Sequence, residues 1–521
     1  SQIDLVKENI PLKNVINFKY ISARRDVTNK ELNSTLSIQT SRIYEKTEAT
    51  DEQSEQIEKF KDALGDTDVE LSRIYDKLFE ETVKKVSKFG GIKEGESVIN
   101  INSTLQHRDL LKGNTTVMYS HGAHTLPEYY NGLGYMNLIS IIFEIEILIQ
   151  EFKRTRDEMP ADINILVIEE PEAHTHPQMQ YVFINNIKEL LKEGVKREDG
   201  IQRNLQTIIS THSSHIVAES DFDDIRYLKR TGESSVSARS LKSLEAEYRK
   251  EGQDENYKFL KQYLTLNKAE LFFADKAILI EGDTERILLP AMMKKMDQEV
   301  PENMLLSQNI SLVEVGAYSQ IFEKFMDFIG IKTLIITDID SAELVEGEDG
   351  KTSKIACPVE KAEATVSTNS SIGFFLETNA LSNLISKSFD QKRVIKVEQD
   401  DEKKWMVDPN GNMQLVYQTS EINKDGETYH ARSFEDAFAH INKAFLNKDE
   451  HSFPSLKPRK FKEVIAAGFN PYDFAEKVVD GKPSFAIEIL MNSCDDANGN
   501  QFSNWAIPSY IKEGLTWLKE N

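Results

Sequence analysis

The sequence predicts an α/β protein made of two successive runs of strands and helices. Short apolar segments recur along the chain, helix-favouring segments lie between them, and several of the apolar segments end in carboxylates. Strands that alternate with helices favour a largely parallel, doubly wound sheet. The polar stretch 231–262 separates the two runs, which predicts one domain over 1–262 and another over 263–521.

Composition and charge limit what the chain does. The 521 residues are 39% hydrophobic and 29% charged, and the two cysteines exclude a disulfide framework and a four-cysteine zinc site. A net charge of −23 argues against a general nucleic-acid coat, but a nuclease with a local basic patch remains compatible with it. One candidate patch is 456–462, although a solvated loop is the favoured interpretation of this segment because charge runs are common on surfaces.

No segment predicts a secreted or membrane protein. The longest apolar stretch, 136–149, is too short to span a bilayer and contains Glu144 and Glu146, so it is interpreted as a core helix. Nothing resembles a signal peptide. We therefore expect a cytoplasmic protein without a membrane partner.

The first run begins with a predicted strand at 15–22. From 28 to 95 the chain is charged and helix-favouring, with apolar residues at three- and four-residue spacing, which predicts an inserted helical hairpin. The remaining predicted elements are strands at 98–101, 163–170, 205–210 and 225–230 and a helix at 177–193.

Polar residues stand at the ends of two predicted strands in this run. Glu169 and Glu170 end the strand at 163–170, and His212 follows the strand at 205–210. The carboxyl ends of parallel strands are where α/β sheets bind ligands. These three side chains are therefore candidates for ligand binding.

A glycine-bearing loop with Asn131, Gly132 and Gly134 precedes the apolar helix. The loop, the acidic pair and the histidine, in this order, resemble the signature loop, Walker B motif and switch histidine of ABC-type ATPases. The resemblance implies that Glu169 holds the Mg²⁺ of ATP and that Glu170 polarises the attacking water. It also implies that the histidine contacts the γ-phosphate and that the loop binds a phosphate presented by a second subunit.

The phosphate-binding loop of such an ATPase is missing from the sequence. No segment supplies G-x-x-x-x-G-K-[ST], and GEDGKT (347–352) has Val345 where the first glycine is required. We expect this segment to be a surface loop. Either the true loop precedes Ser1 or the domain does not hydrolyse ATP, and the start on serine rather than methionine favours the first.

Carboxylates also follow two apolar strands of the second run. Glu281 ends the predicted strand 276–282, with Glu285 about one helical turn later, and Asp338 and Asp340 end the strand 333–340. Such acids repel one another unless a cation joins them, and oxygen ligands favour Mg²⁺, Mn²⁺ or Ca²⁺ over zinc. A strand-glutamate-glycine segment followed by a strand-DxD segment resembles the TOPRIM domain of topoisomerases, primases and some nucleases.

The two halves together resemble the OLD (overcoming lysogenization defect) family of ATP-regulated endonucleases over nearly the whole chain. The similar segments are FKYISARRDV (18–27), ISTHSSHIV (209–217), LIEGDTERILLP (279–290), LIITDIDS (334–341), ARSFEDAFA (431–439), GKPSFAIEIL (481–490) and WAIPSYIKEGLTWL (505–518). The resemblance implies metal ligands Glu281, Asp338 and Asp340, carboxylates Glu285 and Glu435 that complete two metal sites, and Lys482 as a cation that stabilises the transition state.

The function implied is that of an ATP-regulated, divalent-metal-dependent DNA endonuclease with a two-metal mechanism. The family also implies a homodimer or larger homo-oligomer formed partly by the 28–95 insertion, and anti-phage defence alone or with a protein or RNA partner. The alternative is a RecF- or SMC-like ATP-dependent DNA-binding switch with a non-catalytic TOPRIM region, against which the retained acids argue. The lack of a zinc-binding module and the presence of an ATPase half disfavour a primase or topoisomerase.

Overall fold

Internal contacts divide the chain into two units, Ser1–Asp221 and Phe222–Asn521, in the computed structural model. The residues that the structure describes are 5, 7–8, 10–23, 67, 69–81, 83–84, 98–103, 115–121, 124–127, 134, 138, 141–142, 145, 148–149, 151–154, 158–173, 175–192, 194–196, 200–346, 352–399 and 402–520.

A parallel sheet organises the first unit. The strands of the first unit are β1 (Ile16–Ile21), β2 (Val98–Ser103), β3 (Thr115–His121), β4 (His124–Pro127), β5 (Ile163–Glu169), β6 (Val195–Lys196), β7 (Gln202–Arg203) and β8 (Leu205–Ser210). The parallel sheet has the order β1-β5-β8, whereas β2-β3-β4 and β6-β7 are antiparallel. The predicted strands at 15–22, 163–170 and 205–210 are confirmed.

Helices cover this sheet with apolar side chains. The helices with full bounds are α1 (Leu12–Val15), α2 (Pro177–Lys192) and α3 (Ser214–Ala218). The described residues between 134 and 153 are also helical, and Ile141 and Ile145 from this stretch lie in one buried cluster with Leu166 of β5 and Phe183 of α2. The apolar stretch 136–149 is therefore a core helix, as predicted.

The predicted 28–95 insertion falls largely outside the described residues. Its described part, between 67 and 84, is helical. An ion pair between Lys84 and Glu80, 2.6 Å apart on exposed side chains, joins two successive turns of this segment. The helical character is thus as expected over this part of the insertion.

The second unit contains a six-stranded sheet and several short antiparallel ones. Its strands are β9 (Arg226–Arg230), β10 (Val236–Ser240), β11 (Lys276–Ile280), β12 (Ile310–Glu314), β13 (Lys332–Ile336), β14 (Ser341–Glu346), β15 (Thr352–Ala356), β16 (Ala364–Ser367), β17 (Arg393–Gln399), β18 (Glu402–Val407), β19 (Met413–Val416), β20 (Ser420–Ile422) and β21 (Thr428–His430).

The second unit also contains twelve α-helices among its described residues. They are α4 (Leu241–Lys250), α5 (Asp254–Asn267), α6 (Asp283–Glu299), α7 (Glu323–Ile329), α8 (Ser370–Leu376), α9 (Leu381–Ser386), α10 (Phe434–Ile441), α11 (Lys443–Leu446), α12 (Pro458–Ala466), α13 (Pro471–Asp473), α14 (Lys482–Met491) and α15 (Ser509–Lys519).

The main sheet is mixed, with the order β12-β11-β13-β19-β17-β18. The four strands from β12 to β19 are parallel, and β17 and β18 extend the sheet as an antiparallel edge. Every residue of β11 is buried, as expected for a central strand covered on both faces. Gly514 lets α15 approach the sheet closely, because a Cβ at this position would lie 2.9 Å from Leu334 Cδ1.

The contacts divide the chain at a different place from the predicted boundary at 262. The hairpin β9-β10 and helices α4 and α5 belong to the second unit, and β9 pairs antiparallel with β10 instead of extending a parallel sheet. The stretch is polar overall, but its buried residues Leu241, Leu244 and Tyr248 recur at helical spacing, and the Tyr248 hydroxyl donates to the Ile321 carbonyl. A polar composition therefore concealed an amphipathic helix.

The neighbouring elements show the structural context of GEDGKT and of the basic segment 456–462. GEDGKT lies between β14 and β15, which pair antiparallel, so it connects two strands of a hairpin and not a strand to a helix. Residues 347–351 within it lie outside the described part of the chain. The basic segment 456–462 enters α12, whose Phe461 packs on the core, and Arg459 and Lys460 both pair with Glu463. A solvated loop is therefore the wrong description of this segment.

Among the described helices, none combines the length and apolar character that crossing a membrane requires.

Candidate functional site

The acids of the second unit meet because β11 and β13 are neighbours in register. Ile280 pairs with Ile336, so Glu281 and Asp338 follow the two strands at the same edge of the sheet. The Asp338 N–H donates to Glu281 Oε1 over 3.2 Å. The sequence pattern of apolar strands ending in acids therefore leads directly to a shared site.

Glu281 is held through one oxygen. Besides the Asp338 N–H, the Thr337 hydroxyl and the Asn369 amide donate to Oε1, the latter over 2.7 Å. Sequence analysis missed Asn369, which lies about ninety residues away in sequence and belongs to no motif there. Its one local signal is its place just before α8, where asparagine often caps a helix.

Asp338 and Asp340 each accept a hydrogen bond from a distant side chain. Gln418 Nε2 lies 2.6 Å from Asp338 Oδ1, and Arg432 Nη2 lies 2.9 Å from Asp340 Oδ1. Asp340 has a φ of 46°, a left-handed backbone conformation that is unusual for a residue with a side chain. Sequence analysis also missed Gln418 and Arg432, although Arg432 stands within the segment ARSFEDAFA.

Three helix N-termini bring further charged groups to the same place. Glu285 lies in the first turn of α6, Glu435 in the first turn of α10, and Lys482 begins α14, which packs against α6. Lys482 Nζ lies 2.8 Å from Glu435 Oε2, and Glu435 is only 2% exposed. Acids near a helix N-terminus are favoured by the helix dipole, whereas a cation there requires a partner such as Glu435.

Burial and mutual repulsion make these carboxyl groups hard to ionise. Burial, and then Glu435 and Glu281, raise the pKa of Glu285 to about 8. Burial and the neighbouring acids raise the pKa of Asp338 well above its usual range, and burial also raises the pKa of Glu281 and Asp340. Burial opposes the charge of Lys482, but Glu435 outweighs it and raises the pKa of the lysine. The cluster therefore favours protons or a cation.

The donor set fits a divalent cation in its chemistry. The five carboxylates offer only oxygen ligands, which is the preference of Mg²⁺, Mn²⁺ and Ca²⁺. Within the described residues, however, no three Asp, Glu, His or Cys side chains are arranged to share one ion as they stand. Several of these acids have one oxygen occupied by hydrogen bonds, which is consistent with the lack, in the described ranges, of three side chains that share an ion. The five acids are Glu281, Glu285, Asp338, Asp340 and Glu435.

In the first unit, Glu170 and His212 also come together. Glu169 pairs with Ser210 across β5 and β8, and His212 Nε2 lies 3.2 Å from Glu170 Oε1. Glu170 has a φ of 40°, so it too is a left-handed residue that directly follows a parallel strand. Glu172, which sequence analysis did not single out, accepts from the His212 N–H over 2.6 Å and holds this turn.

The structure describes only some of the other residues that were predicted to bind the nucleotide. Glu169 accepts hydrogen bonds from the Tyr20 hydroxyl and, over 3.1 Å, from the Ala23 N–H at the end of β1. Gly134 is helical, whereas Asn131 and Gly132 lie outside the described residues. The proposed phosphate-binding role of this loop therefore stays a prediction.

Added Mn²⁺ is expected to stabilise the protein more at about pH 8.5 than at about pH 6. The pKa of Glu285 is raised from 4.5 to about 8, so its contribution to stability is complete below pH 4.5 and is lost as the pH rises through about 8 in metal-free protein. A cation that replaces the lost protons then has its largest effect at high pH. Thermal midpoints measured with Mn²⁺ and with EDTA at both pH values test this.

The matched pair for this experiment lies on one helix. Glu285→Gln should narrow the difference between the two pH values, whereas Glu299→Gln, at the exposed C-terminal end of α6, should leave it unchanged. Equal Mn²⁺ stabilisation of the unsubstituted protein at both pH values would contradict the expectation.

Two family models match the chain. One, described as an AAA ATPase domain, matches residues 2–217, and the other, described as an overcoming lysogenization defect protein-like TOPRIM domain, matches residues 272–340. The second range contains Glu281, Glu285, Asp338 and Asp340. The predicted combination of an ATPase domain and a TOPRIM domain is confirmed, and the matching ATPase family carries the AAA description.

Curated relatives include two nucleases. "Endonuclease GajA" of Bacillus cereus (strain HuB5-5) is 27% identical over 532 residues, which covers 98% of this chain and 70% of that protein. "Old nuclease" of Escherichia phage P2 is 27% identical over 193 residues, which covers 36% of this chain and 30% of that protein. The first likeness therefore extends through both units.

Solved structures of SMC ATPases are similar to part of the chain. One, described as concerning ATP-driven dimerization and DNA-stimulated activation of SMC ATPases, has a TM-score of 0.23 and 18% identity, and covers 35% of this chain and 97% of that chain. An SmcHead bound to the C-winged helix domain of ScpA has a TM-score of 0.24 and 19% identity, and covers 33% and 45% respectively.

Proposed function

We propose that the chain belongs to the OLD family and is an ATP-regulated, divalent-metal-dependent DNA endonuclease, with an AAA-type ATPase domain before an OLD-like TOPRIM domain. The observation that carries the proposal is the gathering of carboxylates at the ends of β11 and β13. Buried acids with raised pKa values, one ion-paired lysine and an oxygen-only donor set are the chemistry of a metal-assisted hydrolase.

Each residue has a role in this proposal. Glu281, Asp338 and Asp340 hold metal, and Glu285 and Glu435 complete two metal sites. When bound, the ions supply an activated water and neutralise the departing oxygen of the phosphodiester. Arg432 keeps Asp340 in place through the 2.9 Å contact between Nη2 and Oδ1.

Lys482 stabilises the negative charge that develops on the phosphate. Its side chain is 60% exposed, while its ion pair with Glu435 and its raised pKa keep it protonated. Its exposure leaves the ammonium group accessible to a phosphate, while the buried Glu435 holds it at the edge of the carboxylate cluster. Glu435 thus both keeps Lys482 protonated and holds its side chain in place.

ATP regulates access of DNA or its cleavage in this proposal. Glu169 holds the Mg²⁺ of ATP, Glu170 polarises water, and His212 contacts the γ-phosphate, which the 3.2 Å contact between Glu170 and His212 supports. We also propose a homodimer or larger homo-oligomer formed partly through 28–95, and a role in defence against phage, alone or with a protein or RNA partner.

Metal-dependent plasmid cleavage tests the proposal. Supercoiled plasmid incubated with the protein should be nicked or linearised in Mg²⁺ or Mn²⁺, EDTA should stop the reaction, and renewed Mn²⁺ should restore it. DNA that is bound but never cut would support the DNA-binding switch instead. Added ATP should change the cleavage rate, and an unchanged rate would remove ATP regulation from the proposal while leaving the nuclease.

A further inference from the structure

We propose that two buried side-chain amides, Asn369 and Gln418, are positioning residues of the carboxylate cluster. Each amide occupies one oxygen of an acid and leaves the other oxygen of the same acid for the metal. Glu281 and Asp338 would then be monodentate ligands. The inference rests on the proposed function, because it concerns how that metal site is prepared.

The orientation of the Asn369 amide follows from the helix that it caps. Its Oδ1 accepts from the Ser371 and Ile372 N–H groups over 3.0 and 3.1 Å at the start of α8. A helix N-terminus offers only donors, so the oxygen must face α8 and the NH₂ group must face away from it. The NH₂ group then lies 2.7 Å from Glu281 Oε1 and 2.8 Å from Thr337 Oγ1.

Glu281 is consequently divided into two unequal oxygens. Oε1 receives the Asn369 amide, the Thr337 hydroxyl and the Asp338 N–H. No hydrogen bond from the part of the chain that the structure describes reaches Oε2. An oxygen with three donors has little capacity left for a cation, so Oε2 is the ligand atom.

Gln418 repeats this arrangement on the second acid. Its Oε1 accepts from the Ile339 N–H over 2.8 Å, which fixes the amide, and its Nε2 donates to Asp338 Oδ1 over 2.6 Å. Gln418 is fully buried, and the Tyr510 hydroxyl lies 3.2 Å from the same Nε2. Asp338 Oδ1 is thereby occupied, and Oδ2 remains.

Neutral amides suit this task better than cations. Asp340 and Glu435 already pair with Arg432 and Lys482, and further cations on Glu281 and Asp338 would offset the remaining negative charge that attracts the metal. An NH₂ group orients each of these carboxylates and leaves its charge intact. Asn369 also reaches the Asp338 carbonyl over 3.0 Å, so one amide ties both strand ends together. A purely structural role would require only the cap and the packing.

The test compares metal affinity with stability. Asn369→Ser keeps a capping oxygen for α8 but cannot reach Glu281, and Gln418→Met keeps the volume without the donor. Mn²⁺ affinity, measured by calorimetry and by the paramagnetic resonance of free Mn²⁺, should weaken about 10- to 100-fold in both variants. The Mn²⁺ concentration for half-maximal plasmid cleavage should rise in parallel, while the rate at saturating Mn²⁺ stays within a few-fold.

Asn442→Ser is the matched control. Asn442 is also buried, and its amide binds the Ala506 backbone through both atoms, away from the acids. It should lower the thermal midpoint without changing Mn²⁺ affinity. If the unsubstituted protein binds Mn²⁺ and cuts plasmid, and both amide variants keep its Mn²⁺ affinity, the positioning role is overturned and the proposed function stands. If the unsubstituted protein neither binds Mn²⁺ nor cuts, the proposed function fails together with this inference.

Discussion

Under the proposed function, alanine in place of Asp338 is expected to lower DNA cleavage by about 10³-fold or more, because losing a proposed metal ligand would remove several kcal/mol of transition-state stabilisation. The fold should persist. Asp338 lies among other acids that raise its pKa, so its removal relieves repulsion in the metal-free protein. Nicking of supercoiled plasmid in Mg²⁺ or Mn²⁺ measures the activity, and the thermal midpoint in EDTA measures the fold.

Asp495→Ala serves as the control for Asp338→Ala. Asp495 is an exposed acid in the loop before Asp496, outside the cluster, and its removal should leave cleavage unchanged. An Asp338→Ala protein that nicks plasmid as fast as the unsubstituted chain would end the claim that this cluster is the nuclease centre.

Replacing Glu323 with alanine should destabilise the protein by about 3–5 kcal/mol, the usual result of breaking a buried ion pair from one side. Glu323 Oε1 lies 2.7 Å from Lys324 Nζ and Oε2 lies 2.5 Å from Lys396 Nζ, and Trp405 Nε1 donates to Oε2 over 2.7 Å. Side-chain exposure is 4% for Glu323, 4% for Lys324 and 6% for Lys396. Alanine would leave two buried lysines short of their shared acid.

Chemical denaturation of the second unit measures this loss in the free energy of unfolding, with Glu299→Ala as the comparison. Glu299 pairs with Lys512 over 2.8 Å, but both side chains are about half exposed. Exposed pairs contribute less than about 1 kcal/mol, so Glu299→Ala should be nearly neutral. Similar effects of the two substitutions would mean that the buried network around Glu323 contributes little to stability.

The strands that carry the acids were predictable because they are short, apolar and end in charge. β5, β11 and β13 have this pattern, and their parallel pairing follows from the alternation with helices. The antiparallel edge formed by β17 and β18 was not predicted. Its two strands, RVIKVEQ and EKKWMV, mix charged and apolar side chains without a regular alternation, so their sequence gives no sign of the strand beside which they lie.

The partners of the acids were less accessible to sequence reasoning. Glu435 and Lys482 entered through the family resemblance, since locally one is an acid on a helix face and the other a loop cation. Asn369 and Gln418 entered only through the structure, because polar residues far apart in sequence reach Glu281 and Asp338 through tertiary packing. Their role as positioning residues remains a proposal.

Glu170 and Asp340 have a left-handed backbone, with φ of 40° and 46°. At these two positions stability and the proposed function favour different residues. Glu170 directly follows β5 and Asp340 directly precedes β14. Each presents a carboxylate, and a side chain in this conformation costs about 1 kcal/mol that glycine would avoid. Selection for thermal stability alone would therefore favour glycine at both positions. In the proposed function both positions need a carboxylate, so glycine there would raise stability at the expense of activity.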